Sequence, residues 1–296
     1  MRIEGTTPLW IAARYLLSER GDDFFRRRDR VLKTFDAEDI HDLRVSSRRM
    51  REALTLFAPC YPPRNITRLV RNIKQVTRLM GEMRNADEAL LFFAAMGDEL
   101  GDPCRGDLQK LVRGFEKSRG RGLKELKLGL RANASGSLRA QYLRTISSPS
   151  LYNPPTATID LFASLSQFAG QALDARLACV MKLVPDARLD WAVEAQHLLR
   201  IAVKHYRYRT ETLSMLFGAH YEEPHATLKC YQDVLGKMHD LDLFAGMVRE
   251  EGFPPDTERF VLAAMAAKRA DLFGTFIGML ETTPFEAIGQ RIRNAV

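Results

Sequence analysis

Residues 40–57 carry four basic side chains at helical spacing. His41, Arg44, Arg48 and Arg51 follow one another at intervals of three, four and three residues. An α-helix turns by about 100° per residue, so these side chains fall within about 80° of one face, in a stripe ~15 Å long. Guanidinium groups offer paired N–H donors to phosphate oxygens and stay charged at cellular pH. The stripe therefore predicts an anion-binding surface rather than an acid–base catalytic site.

The same pattern returns in the second half of the chain. His197, Arg200, Lys204 and Arg207 repeat the order and the intervals, 156 residues later. The segments LMGEMRNADEALLF and VLGKMHDLDLFAGM also match, with a shift of 155 residues. Self-similarity on this scale predicts an internal duplication. We expect two similar helical bundles in tandem, related by a pseudo-twofold axis that brings both basic helices to a central groove or cavity.

Neither stripe contains an acidic residue that would neutralise its positive charge. Like charges three or four residues apart on a helix repel by a few tenths of a kcal/mol per pair. Asp42 and Glu52 are expected to point away from the first stripe. A solvated surface is the alternative interpretation of such a stripe. The repetition and the formal net charge of +7 favour a bound polyanion, which would remove the repulsion.

A third predicted helix adds a row of cations to the first half. Their intervals of four, three, three and four residues place them within about 120° of one face. The row consists of Arg64, Arg68, Arg71, Lys74 and Arg78. At the corresponding place in the second half only Lys229 remains, with His225 near the start of the helix. The sequence thus predicts an asymmetric basic patch that is stronger on the first half.

The chain is predicted to be all-α. Its 296 residues are 46% hydrophobic, enough for a sizeable core, and no segment shows the alternation of a β-strand. We expect one domain over 1–296, with a first repeat over 1–146, a linker over 147–158 and a second repeat over 159–296. In the first half we predict helices over about 9–33, from a cap at Asp36 or Asp39 to before Pro62, over 64–80, over a short segment at 85–99, and from 104 to 131. In the second half we predict helices over 159–185, from 189 to 222, from 225 to 252, and over 256–281.

Composition narrows the class of protein further. The four cysteines are widely spaced, which argues against a zinc site or a disulfide framework. They are Cys60, Cys104, Cys179 and Cys230. No signal peptide and no apolar run of the ~20 residues needed to span a bilayer are visible. We expect a cytoplasmic protein with no membrane partner; the sequence leaves its oligomeric state open.

Two other functions are weighed against anion binding. A metal-dependent phosphohydrolase could use His41, His239, Asp240 and Asp242, but neither His-Asp doublet has a further ligand at i+4. Moreover, the repeat aligns His239 with Arg84, which cannot bind a metal. We expect no metal, cofactor or catalytic residue.

Nonspecific nucleic-acid binding is the other alternative. Tyr206 and Tyr208 are the aromatic residues near the second stripe, and Tyr206 is expected to face the core. Base-stacking surfaces require a longer series of aromatic residues. No nucleotide-binding glycine motif is present either. Nucleic acid is therefore the weaker candidate partner.

The motifs resemble those of a known family. HDLRVSSRRMREALTLF and HLLRIAVKHYRYRTETL are similar to the two signatures of the CHAD family, the conserved histidine α-helical domain, and LGKMHDLDLF is similar to the segment after the second signature. The resemblance spans nearly the whole chain. It implies two similar helical bundles with a basic central surface that binds inorganic polyphosphate. One departure is Asn85, which stands after Arg84 where the family usually has an Asp.

The resemblance implies non-enzymatic polyphosphate binding, with targeting to polyphosphate granules as a further expectation. It assigns the binding of polyphosphate to His41, Arg44, Arg48, Arg49, Arg51, Lys74, Arg84, His197, Arg200, Lys204, Arg207, Tyr208 and Lys229. The basic row and the repeat add Arg78 and His239.

Overall fold

The computed structural model describes residues 2–132, 137–151 and 159–296, and the regular structure in these ranges is helical. The all-α prediction is confirmed: the described ranges contain no β-strand, only an isolated bridge between Pro8 and Ser164. The helices are α1 (Leu9–Thr34), α2 (Ala37–Leu56), α3 (Pro63–Leu79), α4 (Gly81–Leu100), α5 (Asp102–Ala132), α6 (Ser137–Ile146), α7 (Leu165–Ala187), α8 (Val193–Thr212), α9 (Glu222–Glu251), α10 (Pro255–Thr282) and α11 (Phe285–Ala295).

Helix α2 begins at a side-chain cap and buries the face opposite its basic stripe. The Asp36 carboxylate accepts a hydrogen bond from the backbone N–H of Glu38 at 3.0 Å, which satisfies one of the free donors of the first turn. Leu43, Met50 and Leu54 are fully buried. Their burial fixes the rotation of α2, and so fixes where its arginines point.

Helix α8 is oriented in the same way. Leu199, Val203 and Tyr206 are buried, which confirms that Tyr206 faces the core. Helix α2 packs against α8, and both contribute to the main hydrophobic core. A second, smaller core joins α4 and α5 to α9 and α10. The two basic helices are therefore neighbours inside one packed structure.

The beginnings of the two halves bind each other reciprocally. The Leu9 N–H donates to the carbonyl oxygen of Ala163 at 3.0 Å, and the Leu165 N–H donates to that of Thr7 at 2.9 Å. Each partner differs from its counterpart by 156 residues, the interval of the sequence repeat. Such reciprocal contacts are what a pseudo-twofold axis requires. They support the internal duplication and its axis, which stay predictions.

Several helix boundaries differ from the prediction. Helices α6 and α11 were not predicted, and α4 begins at Gly81, so it is longer than the expected short segment. Helix α7 begins at Leu165 rather than at 159, and α8 begins at Val193 rather than at 189. Helix α7 also continues through Pro185. This proline lies in the last turn of the helix, which ends at Ala187, and the burial of Ala187 in the core holds that turn in place.

The predicted linker over 147–158 lies partly outside the described residues. Before this gap, the Ser150 N–H donates to the carbonyl oxygen of Cys60 at 2.9 Å.

Elsewhere on the surface, residues 2–5 and Val296 line one cleft together with Ser166. The four cysteines are free thiols; Cys60 is buried, as is Cys104, and the other two are exposed. None of the described helices combines the length and hydropathy that crossing a bilayer requires.

Candidate anion-binding site

Five cations from α2 and α8 form the centre of the candidate site. We call Arg44, Arg48, Arg51, Arg200 and Lys204 the basic cluster. Part of it opens onto a small cleft of about 110 Å³ between the two helices. The cleft is lined by Arg48, Arg51, Glu52, Thr55, Val70, Lys204, His205 and Tyr208.

Electrostatics show how closely the basic cluster is packed. Burial, followed by the charges of Arg48, Arg200, Arg51 and Arg44, lowers the pKa of Lys204 to about 8. Burial, followed by the charge of Arg48, likewise lowers the pKa of Arg44 to about 10. Cations from two helices thus raise each other's free energy in the unliganded protein.

The described residues provide the basic cluster with no counter-charge at contact distance. Among the described carboxylates, none lies within 4.0 Å of a charged nitrogen of these five side chains. The Nε atoms of Arg44 and Arg51 are buried and have no hydrogen-bond partner among the described residues. Buried donors are normally satisfied, so these two N–H groups are available to a bound oxyanion.

Two histidines of the candidate set contact each other at one end of the site. The Nδ1 atoms of His197 and His239 lie 3.1 Å apart, and the rings are 4.1 Å apart at their centroids. Burial and the charge of Arg200 lower the pKa of His239 to about 4. His41 is more exposed, and burial followed by the charge of Arg84 lowers its pKa. At neutral pH His239 and His41 therefore act as neutral hydrogen-bonding groups in the unliganded protein.

Carboxylates border the same end. Glu88 on α4 accepts from Arg84 at 2.8 Å, so this arginine is already paired. Asp240 on α9 is close enough to Arg200 to oppose the lowering of that arginine's pKa. Burial, and then the charge of Glu88, raise the pKa of Asp240 itself. Carboxylates thus become more frequent around the site towards α4 and α9.

Two arginines of the candidate set belong to a separate ion-pair group. Arg207 is only 8% exposed and donates to Glu211 and to Gln232. Arg49 donates to the same Glu211 carboxylate at 2.7 Å. Both guanidinium groups are thus partly neutralised, unlike those of the basic cluster. Tyr208 is buried, and the guanidinium carbon of Arg207 lies 5.0 Å from the centre of its ring.

The remaining candidates lie at the edges. Lys74 and Arg78 are exposed on α3, and Arg78 is close enough to Arg51 to contribute to the lowering of that arginine's pKa. Lys229 is exposed on α9 and donates to Asp233, one helical turn along, at 2.7 Å. The structure thus brings Arg78 to the basic cluster and leaves Lys229 in a local ion pair.

Comparison with known proteins identifies the family. The model of the CHAD domain matches residues 16–249. The chain belongs to the CHAD family. This confirms the resemblance that the sequence motifs carry.

Solved structures agree with the CHAD fold. The CHAD domain from the plant Ricinus communis aligns with a TM-score of 0.57 and 22% identity, over 99% of this chain and 94% of that one. PptA from Streptomyces chartreusis aligns with a TM-score of 0.65 and 17% identity, over 98% and 99% of the two chains. A search of curated proteins finds no match to the sequence.

In the described part of this CHAD chain, two side chains named for the metal-dependent alternative contact other residues. Asp242 accepts from Arg269 at 2.7 Å, and His239 contacts His197. The described residues contain no group of three or more His, Cys, Asp or Glu side chains placed to hold a metal ion. The site therefore offers cationic donors, the chemistry of oxyanion binding.

Sequence reasoning missed the carboxylates that shape the site. Glu211 lies four residues after Arg207 on the same helix face, a spacing that could have predicted their pairing. Glu52 lines the cleft of the basic cluster, although its carboxylate binds His205 and Arg209 of α8. No signal in the sequence indicates a pairing of this kind, because it joins residues more than 150 positions apart.

Proposed function

We propose that this CHAD chain binds inorganic polyphosphate at the basic cluster without chemically changing it. The single observation that carries the proposal is the meeting of five cations from two helices with no described carboxylate at contact distance. Family membership supports it, because the sequence motifs of this family imply polyphosphate as the ligand. Association with polyphosphate granules would follow from such binding and is part of the proposal.

The unpaired donors match the chemistry of a phosphate chain. Each internal phosphate carries oxygens that accept from guanidinium groups, and Arg44 and Arg51 each present a buried N–H that has no partner among the described residues. The narrow cleft favours a thin flexible chain over a duplex, since it holds about 110 Å³. A chain of phosphates would also remove the repulsion that lowers the pKa of Lys204.

The test is titration of the full chain with long-chain polyphosphate at near-physiological salt. The variant carries Arg44→Gln, Arg48→Gln, Arg200→Gln and Lys204→Gln, and Arg207 is left intact because Glu211 already neutralises it. Hydrogen bonds to charged groups are each worth about 1.5–3 kcal/mol, so we expect affinity to fall at least ~100-fold. Unchanged affinity would refute the site.

A matched variant controls for the loss of net charge. Arg113, Lys182, Arg188 and Arg249 are exposed and have no described carboxylate at ion-pair distance, so replacing each by Gln removes the same four charges elsewhere. We expect this variant to bind nearly as the wild type does. Competition with single-stranded DNA at equal phosphate concentration separates polyphosphate binding from general polyanion binding. If DNA competes equally well, nonspecific nucleic-acid binding is the better description.

Catalysis is tested in the same samples. We expect phosphate release from polyphosphate to stay at the level of the buffer, with or without added divalent metal. Release that depends on the protein and on the metal would instead support the phosphohydrolase alternative.

A further inference from the structure

A row of five cations lies on α3, outside the cleft. We call Arg64, Arg68, Arg71, Lys74 and Arg78 the α3 row. All five are exposed, while Ile66, Leu69, Ile73 and Val76 on the opposite face are buried. From the first to the last member, fourteen rises of 1.5 Å give the row a length of ~21 Å.

No described carboxylate neutralises the positive charge of the α3 row. Helix α3 contains no acidic residue, and none of the described carboxylates lies at ion-pair distance from the row. Like charges at these spacings repel by about 0.2–0.5 kcal/mol per pair in an isolated helix. Most exposed cations of a folded protein have mixed neighbours, so a row of one sign is typical of a surface that meets a polyanion.

The α3 row is continuous with the basic cluster. Arg78, its last member, is close enough to Arg51 to contribute to the lowering of that arginine's pKa. Val70, also on α3, lines the cleft beside Arg51 and Lys204. An elongated anion that fills the cleft can therefore pass directly onto α3.

The other half offers no such continuation. The repeat places Glu223, Lys229 and Asp233 on α9 where α3 has Arg68, Lys74 and Arg78. Glu223 is paired with Arg291, and Lys229 with Asp233. One side of the basic cluster thus continues into unpaired positive charge, and the other does not.

From this asymmetry we infer that the α3 row is an outer track for the part of a polyphosphate chain that extends beyond the basic cluster. This inference rests on the proposed function and adds a preference for chain length to it. Long chains bind more tightly than short ones because only they reach Arg64, Arg68 and Arg71. Tripolyphosphate, with three phosphates, would occupy the basic cluster alone.

The experiment compares tripolyphosphate with long-chain polyphosphate on the full-length protein. The track variant carries Arg64→Gln, Arg68→Gln and Arg71→Gln, the members farthest along the helix from Arg78. We expect its affinity for long chains to fall ~10-fold, and the slope of log affinity against log salt to become shallower by about 2, since about 0.7 counterion is released per contact with a single-stranded polyanion. Affinity for tripolyphosphate should not change.

The control variant carries Lys182→Gln, Arg188→Gln and Arg249→Gln, which removes three charges from other exposed positions. A track variant that binds long chains as this control does would overturn the inference and leave the proposed function standing. Equal losses of affinity for both ligands would also overturn the inference, because they would indicate that the three arginines act through the general electrostatic field of the protein and not as a track. If the wild type binds neither ligand, the proposed function itself fails.

Discussion

Lys204 is the lysine among the arginines of the basic cluster, and this difference gives the site a dependence on pH. Its ammonium group is partly desolvated and lies among four guanidinium groups, so its pKa in the free protein falls to about 8. An arginine at this position would stay charged over the same range. A bound polyanion would restore the charged form of Lys204, and binding would then be coupled to the uptake of a proton.

We expect the affinity for polyphosphate to fall as the pH rises above about 8. The pKa of Lys204 is higher in the complex than in the free protein, so the contribution of its charge is complete below pH 8 and is lost as the pH rises towards the pKa of the complex. Between about pH 7 and about pH 9 the loss should reach up to ~10-fold. Titrations at these two values measure it.

The control for this prediction is Lys204→Arg, which keeps a positive charge throughout the range. In this variant the affinity should change much less between the two pH values. A wild-type affinity that stays constant, or that increases with pH, would show that Lys204 does not approach the bound anion.

At the scale of helices, Glu52 joins α2 to α8 beside the basic cluster. It is 4% exposed and accepts from His205 at 2.6 Å and from Arg209 at 2.8 Å, both on α8. Arg176 of α7 adds a longer contact at 3.4 Å. Burial opposes the ionisation of Glu52, but the hydrogen bond from His205 and then the bond and charge of Arg209 outweigh it, and the pKa of Glu52 is lowered.

Replacing Glu52 by Gln should lower the free energy of unfolding by about 3 kcal/mol, because it leaves the largely buried guanidinium group of Arg209 without its counter-charge. Urea denaturation at neutral pH measures the change. Glu250→Gln, at an exposed position on α9, is the matched control and should change stability by less than about 0.5 kcal/mol. Equal stabilities of the two variants would contradict the proposed role of Glu52.

Helix periodicity explains how much of this arrangement the sequence could predict. The buried positions Leu43, Met50 and Leu54 recur at helical spacing, so the rotation of α2 and the position of its basic stripe opposite the buried face followed from the sequence. The cap at Asp36 was also predictable from its residue type. Both signals are local in the sequence, and the structure confirms both predictions.

Two kinds of feature could not be predicted from the sequence: contacts between distant residues, and short helices. The partnership of Arg49 with Glu211 depends on how α2 meets α8, which no local pattern encodes. Pro185 breaks a helix by local rules, yet tertiary packing of the last turn of α7 overrides them. Helices α6 and α11 are short, with 10 and 11 residues, and so they offer few repeats of the hydrophobic period.

At the scale of the whole molecule, binding and stability oppose each other. The chain has a formal net charge of +7, and the basic cluster concentrates repulsion near the contact between α2 and α8. A site that keeps like charges together without a ligand lowers the stability of the free protein, the usual cost of a functional site. A ligand that binds only the folded state should restore it.

Long-chain polyphosphate should therefore raise the melting temperature of the wild type. At a concentration ~100 times the dissociation constant the stabilisation is about 2.7 kcal/mol, which corresponds to a shift of about 4 °C for a chain of this size. The variant that neutralises Arg44, Arg48, Arg200 and Lys204 should melt above the free wild type and show a much smaller shift. Thermal unfolding followed by circular dichroism measures both. Equal shifts in the two proteins would contradict the proposed site.

The shared cleft of residues 2–5 and Val296 has a consequence for protein engineering. Because these segments border the same cleft, a short added linker can join position 296 to position 2 without crossing the molecule. A new opening between residues 146 and 159 then leaves every described helix uncut. The circularly permuted chain would begin with the second half and end with the first, with the paired segments at Leu9 and Leu165 still holding the halves together.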